Sequence, residues 1–161
     1  AQESLVLDSI YATGTRTVRG LEAGALSMPP TPGFSILKRP NNENLNGINT
    51  VLKKQGYSLD FIYGGYGYFD NMNHFFGTNG YDLTDRSNIP SSDIIFSNIW
   101  GVSDEDLFNY TLKVIDKYNE DKSPFFKLIL TTSNHRPYSY PEGRIDIPSK
   151  EGRHGAVKYT D

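Results

Sequence analysis

The chain has 161 residues, of which 37% are hydrophobic and 22% charged, with a net charge of −3. That is enough for one domain with a core of its own, and the composition is that of a globular protein rather than a disordered one. A weak negative charge with no basic block excludes a nucleic-acid module held by phosphate contacts, and the lack of cysteine excludes disulfides and thiolate metal sites.

Aromatic residues make up 13%, and many of the 11 tyrosines fall in polar, glycine-containing stretches rather than at periodic core positions. No apolar run approaches the roughly 20 residues of a transmembrane helix. The chain opens on Ala-Gln-Glu-Ser and stops at Lys-Tyr-Thr-Asp, and both ends read as cuts through a longer protein.

Residues 4–11, with Leu5, Leu7, Ile10 and Tyr11 apolar, predict a short strand or an extended approach to a loop. The stretch Tyr11 to Leu26 (Y-A-T-G-T-R-T-V-R-G-L-E-A-G-A-L) crowds threonines and arginines around Gly14 and Gly20. A helix starting at Thr17 or Arg19 is predicted to run to about Ser27, before the prolines of P-P-T-P-G. A hydroxyl at that helix start would meet free backbone N–H groups and the positive end of the dipole, a setting for an anion. Arg16 and Arg19 add donors suited to phosphate or sulfate oxygens. On spacing alone Thr13, Thr15 and Thr17 are equivalent, and all three also fit capping or turn hydroxyls.

Residues 34–42 read as a loop, and helical spacing returns over 43–55, with Leu45, Ile48, Val51 and Leu52 on one face and Gly56 as the stop. Tyr57 to Tyr63 predicts a strand that empties into the loop G-G-Y-G-Y-F-D at Gly64 to Asp70. A short helix follows over 71–76, then weaker extended segments at 81–86 and 94–97. Ser103 reads as an N-cap and Asp104, Glu105 and Asp106 as first-turn acids of a helix reaching about Asn119. Pro124 to Thr132 is a nearly continuous apolar run, as in a strand buried on both faces, and it ends at S-N-H-R-P.

Helices alternating with strands predict an α/β layered fold with a mostly parallel sheet, whose ligands sit beyond the carboxyl ends of the strands. The loops at 13–19, 64–70 and 132–136 would then converge. His135, just past a buried strand, can orient or protonate a leaving group, and equally fits a surface loop. Gly64, Gly65 and Gly67 could let a substrate approach the backbone, or form a plain turn. Trp100 reads as a packed aromatic at a helix entrance. Asp104, Glu105 and Asp106 need no metal to explain them, and His74 and His154 have no ligand spacing.

The strings Y-A-T-G-T-R-T-V-R-G-L-E-A, P-P-T-P-G-F-S-I-L-K-R-P, F-I-Y-G-G-Y-G-Y-F-D-N-M-N-H-F-F, W-G-V-S-D-E-D-L-F and T-T-S-N-H-R-P-Y-S-Y-P together resemble the sulfatase-like phosphoglycerol transferases. That is the lipoteichoic acid synthase branch of the alkaline phosphatase superfamily. The resemblance spans nearly the whole chain in order and implies an alkaline-phosphatase-like layered α/β fold, incomplete at both ends, with residues 1–161 forming part of a catalytic domain. It implies that Thr17 is a metal-bound nucleophile in a G-x-x-T-like turn and that His135 contacts the substrate phosphate. Around them, Arg16, Arg19, Gly64, Gly65, Tyr66, Asn134 and Arg136 are the expected substrate-binding residues.

The implied reaction attacks a phosphodiester, such as a lipid head group or a glycan-linked ester, and passes the group to an acceptor or to water. The family's divalent metal is manganese or zinc. Its glutamate ligand would precede this chain and its Asp-His pair would follow it, so Thr17 is the ligand expected here. The isolated piece is accordingly expected to be inactive and metal-free, which calorimetric titration with either ion checks. Family members supply a His, a Trp and an Arg to glycerol phosphate where this chain has Tyr63, Asp70 and Met72, which implies a different pocket.

The resemblance further implies an extracytoplasmic protein at the periplasmic face of the inner membrane, anchored only through segments absent here, with no nucleic-acid partner. A missing first strand would leave a sheet edge open to homodimer pairing. Two other readings remain. One is a sulfatase proper, against which stands the lack of a C-x-P-x-R sequence. The other is a non-catalytic anion- or glycan-binding module built on the tyrosine-rich loops.

Overall fold

A computed structural model describes residues 5, 7–121 and 123–161. Helix α1 spans Thr17–Leu26, α2 Ile48–Lys54, α3 Met72–Thr78, α4 Asp104–Asp121 and α5 Arg153–Thr160; strand β1 is Ser58–Tyr63, β2 Asp82–Thr84 and β3 Phe125–Leu130. Among the described residues the strands form one parallel sheet in the order β2-β1-β3. β1 is central and buried from Leu59 onward, as a strand covered on both faces must be.

The two faces of β1 carry different cores. Leu59, Phe61 and Tyr63 point to one side, where they pack with Val18, Leu21, Ala25 and Leu26 of α1 and with Met72, Phe75 and Phe76 of α3. Phe61 lies flat on Phe76, with ring centroids 3.8 Å apart. Ile62 points the other way, to Ile89, Val102 and Leu107 at the start of α4. The result is a helix–sheet–helix layering fixed by the period-two alternation of one strand.

α1 begins at Thr17 and buries Val18, Leu21, Glu22, Ala25 and Leu26, a stripe at helical spacing. It stops where Ser27 turns left-handed (φ 56°) and returns its N–H to the Ala23 carbonyl. Ser103 caps α4 as the sequence predicts, its hydroxyl accepting the Asp106 N–H at 3.2 Å.

Several expectations need correction. Residues 5 and 7–11 form no strand, and Leu5, Leu7, Ile10 and Tyr11 are exposed; Ser4 and Val6 lie outside the described residues. The second helix starts at Ile48 rather than residue 43, because Gly47 is extended there and Val51 faces solvent. The loop over 34–42 contains a 3-10 turn at Ile36–Lys38. Residues 94–97 form no strand beyond a single bridge between Ser97 and Val102. β3 is half-buried at every position rather than enclosed, since it is an edge strand of the described sheet.

Candidate active site

The carboxyl ends of β1 and β3 point the same way, so the loops that leave them lie side by side, and the amino end of α1 faces them. Together they enclose an open cavity of ≈ 460 Å³ whose lining includes Arg16, Thr17, Arg19, Lys38, Asp70, Trp100 and His135. The convergence of the three loops is therefore realised, although the first follows no described strand.

Thr17 occupies the first helical position of α1. Arg16 stands at the N-cap with extended backbone, and no side chain caps the helix. The Arg16 carbonyl takes the Arg19 N–H at 2.9 Å and starts the ladder. The Thr17 hydroxyl thus sits at the positive end of an uncapped helix, next to N–H groups that have no partner within the helix. Thr13 and Thr15, which residue type leaves equivalent to it, do not line the cavity.

Arg19 lines the cavity with its charge already engaged. Its guanidinium pairs with Glu22 Oε1 at 2.8 Å and donates to the Gly33 carbonyl. Glu22 is fully buried and also accepts the Ser35 hydroxyl at 2.7 Å and the Ile36 N–H at 2.6 Å. Burial would raise its pKa, but these hydrogen bonds and the Arg19 charge outweigh it and hold the carboxyl below its ordinary value. Lys38 is likewise paired, with Asp70 at 2.6 Å. Asp70 and Asn71 are both left-handed (φ 53° and 63°), a conformation that asparagine and aspartate adopt most readily among non-glycine residues. Arg16 has no carboxylate partner among the described residues and is the cavity's uncommitted cation.

His135 is oriented twice over. Its ring stacks on Trp100, with centroids 4.5 Å apart and planes at 29°, and Nδ1 lies 3.1 Å from the Thr132 carbonyl. A carbonyl only accepts, so Nδ1 carries hydrogen, and in the neutral ring Nε2 is the lone-pair atom. Thr132 is itself pinned: its hydroxyl donates to the Val102 carbonyl and its N–H to Asp104 Oδ1. Trp100, read from sequence as a packed aromatic at a helix entrance, is in fact a wall of the cavity, and its Nε1 donates to the Arg136 carbonyl at 2.6 Å.

The other predicted residues lie elsewhere. Gly64 and Gly65 are buried and do not line the cavity. A Cβ built on Gly65 would fall 2.6 Å from the Tyr63 ring, and one on Gly101 only 2.1 Å from the Gly64 carbonyl. Asn134 turns away to Thr160, the Arg136 guanidinium points to the Tyr138 hydroxyl, and Tyr66 borders a second, smaller cavity. His74 pairs with Glu43 outside the cavity. Sequence reading missed Lys38 and Glu22. The second had a signal, since a glutamate four residues after Val18 falls on the apolar stripe of the helix.

The Sulfatase family model matches residues 1–152. This chain belongs to the sulfatase family. It is similar to lipoteichoic acid synthase 2 of Bacillus subtilis (strain 168), at 23% identity over 123 residues that cover 76% of this chain and 18% of that protein. Among solved structures it is similar to an alkaline phosphatase superfamily protein from Vibrio parahaemolyticus, with 44% identity, a TM-score of 0.85, and coverage of 93% of this chain and 37% of that one. It is also similar in fold to the lipoteichoic acid synthase LtaP from Listeria monocytogenes, with 21% identity, a TM-score of 0.77, and coverage of 91% and 38%. The chain thus spans less than half the length of each of these sulfatase-family relatives. The layered fold implied by the sequence resemblance is the fold observed.

Among the described residues no three His, Asp or Glu side chains gather into a metal-holding group. The cavity offers the Thr17 hydroxyl and the His135 imidazole, while its carboxylate, Asp70, is tied to Lys38. These donors by themselves do not fit a divalent ion, which in such sites takes three or four ligands.

Proposed function

We propose that this chain carries the nucleophile-bearing part of an enzyme that transfers or hydrolyses phosphate esters, with Thr17 as the nucleophile. The observation that supports it is the Thr17 hydroxyl at the open amino end of α1, sharing one cavity with His135 and with Arg16, which has no carboxylate partner among the described residues. In this reading the Thr17 hydroxyl loses its proton to water as Oγ attacks phosphorus, and the bond to the leaving oxygen breaks. The product is a phosphothreonine ester; an acceptor hydroxyl or water, giving its proton to the now neutral His135, then cleaves it, and Thr17 Oγ leaves and takes a proton from water. The α1 N–H groups and Arg16 bind the non-bridging oxygens, and protonated His135 gives its Nε2 proton to the departing oxygen. The family is one whose members commonly use a divalent metal. Manganese or zinc would need ligands from outside these 161 residues in addition to Thr17, and the chain alone would be inactive.

Lipid head groups and glycan-linked phosphates fit this chemistry, and the similarity to lipoteichoic acid synthases supports a site of action at the cell envelope. No helix among the described residues is long and apolar enough to cross a membrane, so anchoring at the outer face would fall to other segments. A sulfate ester presents the same tetrahedral oxyanion, and the family's description keeps it as the competing substrate. The test is Thr17→Ala in the complete protein, assayed on phosphate and sulfate diesters and monoesters. Turnover should fall by at least about 10³-fold with substrate binding retained. Unchanged turnover overturns Thr17 as nucleophile, and turnover of sulfate esters alone overturns the phosphate assignment.

A further inference from the structure

The loop after β1 builds a second cavity, of ≈ 150 Å³, lined by Tyr63, Tyr66, Tyr68, Phe69, Ile99 and Trp100. Phe69 and Trp100 also wall the Thr17 cavity, so the two compartments share a partition. In the partition Phe69 meets Trp100 edge to face at 6.4 Å and 88°. On the outer side Tyr66 and Tyr68 stack at 5.7 Å, and the Arg86 guanidinium lies 5.7 Å from the Tyr66 ring centroid.

Apart from Tyr63, which is 5% exposed and belongs to the core, the lining residues stand outside it. Tyr68 is 71% exposed, Phe69 45%, Tyr66 39% and Ile99 82%, on a chain that buries Phe61, Phe75 and Phe76 completely. Aromatic faces left uncovered beside a reactive hydroxyl are surface the protein has not used for folding.

The charge is divided between the compartments. The larger cavity is lined by Arg16, Arg19, Lys38, Asp70 and His135, whereas no charged side chain lines the smaller one. A ligand spanning both is therefore an anionic ester joined to a neutral group. Half of the small cavity's lining is tyrosine, which joins a flat apolar face to a hydroxyl that donates and accepts. A pyranose has the complementary structure, one C–H face and a rim of hydroxyls, and an alkyl chain would leave the phenol groups unmatched.

We propose that the Tyr66–Tyr68–Trp100 cavity is a sugar subsite that stacks one neutral hexose of the substrate or acceptor next to the ester held at Thr17. This rests on the reading of the larger cavity as the ester site, but the sugar contacts do not involve the nucleophile. Trp100 is the chain's single tryptophan and borders both cavities, so its emission reports a ligand in either, and the tyrosine variants tell the two apart.

The experiment titrates the full chain with methyl glucopyranoside and with maltose, following tryptophan fluorescence. A saturable change with a Kd of about millimolar is expected, weakened at least about tenfold by Tyr66→Ala and by Tyr68→Ala. Thr17→Ala should titrate like the parent, so failure of the nucleophile assignment would leave this result standing. No response at about 100 mM sugar, or an undiminished response in both tyrosine variants, overturns the subsite. An equal response to hexanol with none to sugar assigns the cavity to an acyl chain and overturns it too.

Discussion

Glu22 ties the two walls of the cavity together. It accepts from Arg19 on its own helix and from Ser35 and the Ile36 N–H on the facing loop. A buried carboxylate with these donors cannot be neutralised without leaving one of them badly matched. Glu22→Gln should destabilise the fold by about 2 kcal/mol, read by urea denaturation at neutral pH. The pH dependence has a definite sign. Because the folded-state pKa is lowered, the unfolded chain takes up the proton first. The stabilisation is then complete above the ordinary value of 4.5 and is lost as pH falls through the lowered one. The two proteins should therefore converge in acid, and a gap that stays constant down to acid unfolding would sink the assignment. At this scale the sequence showed a polar residue on an apolar stripe, but not its partners, which lie 13 and 14 positions away across a proline-rich loop. Likewise residue type left three threonines open, and only the helix start at Thr17 separates them.

The elements were easier to read where local chemistry decides them. Ser103 and the three acids after it announce the start of α4, and Gly56 closes the segment of α2 at a positive φ. Dipole and capping preferences alone, however, gave those acids too small a role. Asp106 accepts the N–H groups of Ile95 and Phe96, and Asp104 those of Thr132 and Ser133 at 2.9 Å each, as well as the Thr160 hydroxyl. Asp104 is a positioning residue: it fixes Thr132, and the Thr132 carbonyl fixes the His135 ring. Asp104→Ala leaves two buried N–H groups without partners and should cost about 2–4 kcal/mol, while Asp104→Asn keeps an acceptor oxygen and should cost less. The discriminating measurement is the nitrogen spectrum of His135. The hydrogen on Nδ1 should be clear in the parent and in Asp104→Asn, and redistributed between the nitrogens in Asp104→Ala. An unaltered tautomer in the alanine variant would reduce Asp104 to a helix cap.

The cavity exists because β1 and β3 pair in one register, and the register has a lock. Asp60 and Lys127 are cross-strand partners whose side chains form an ion pair only 7% and 3% exposed, 67 positions apart in the chain. The Lys127 ammonium also rests 3.5 Å from the centre of the Tyr118 ring of α4. In sequence each is a lone charge interrupting an apolar run, and neither string says that the two meet. A slip of one residue between the two strands would leave the two charges on opposite faces of the sheet and carry the loops at 64–70 and 131–136 out of step. Removing one partner strands a buried charge, so Lys127→Met should destabilise by about 3–5 kcal/mol. Replacing both, with Asp60→Leu added, should recover most of that, because two buried charges and their desolvation vanish together. Urea denaturation of the two singles and the double closes the cycle. A Lys127→Met protein as stable as the parent would mean that the apolar faces of β1 set the register unaided. If instead the double recovers stability but His135 no longer stacks on Trp100, the pair is retained for alignment of the site, at the carboxyl ends of the strands it joins, rather than for stability.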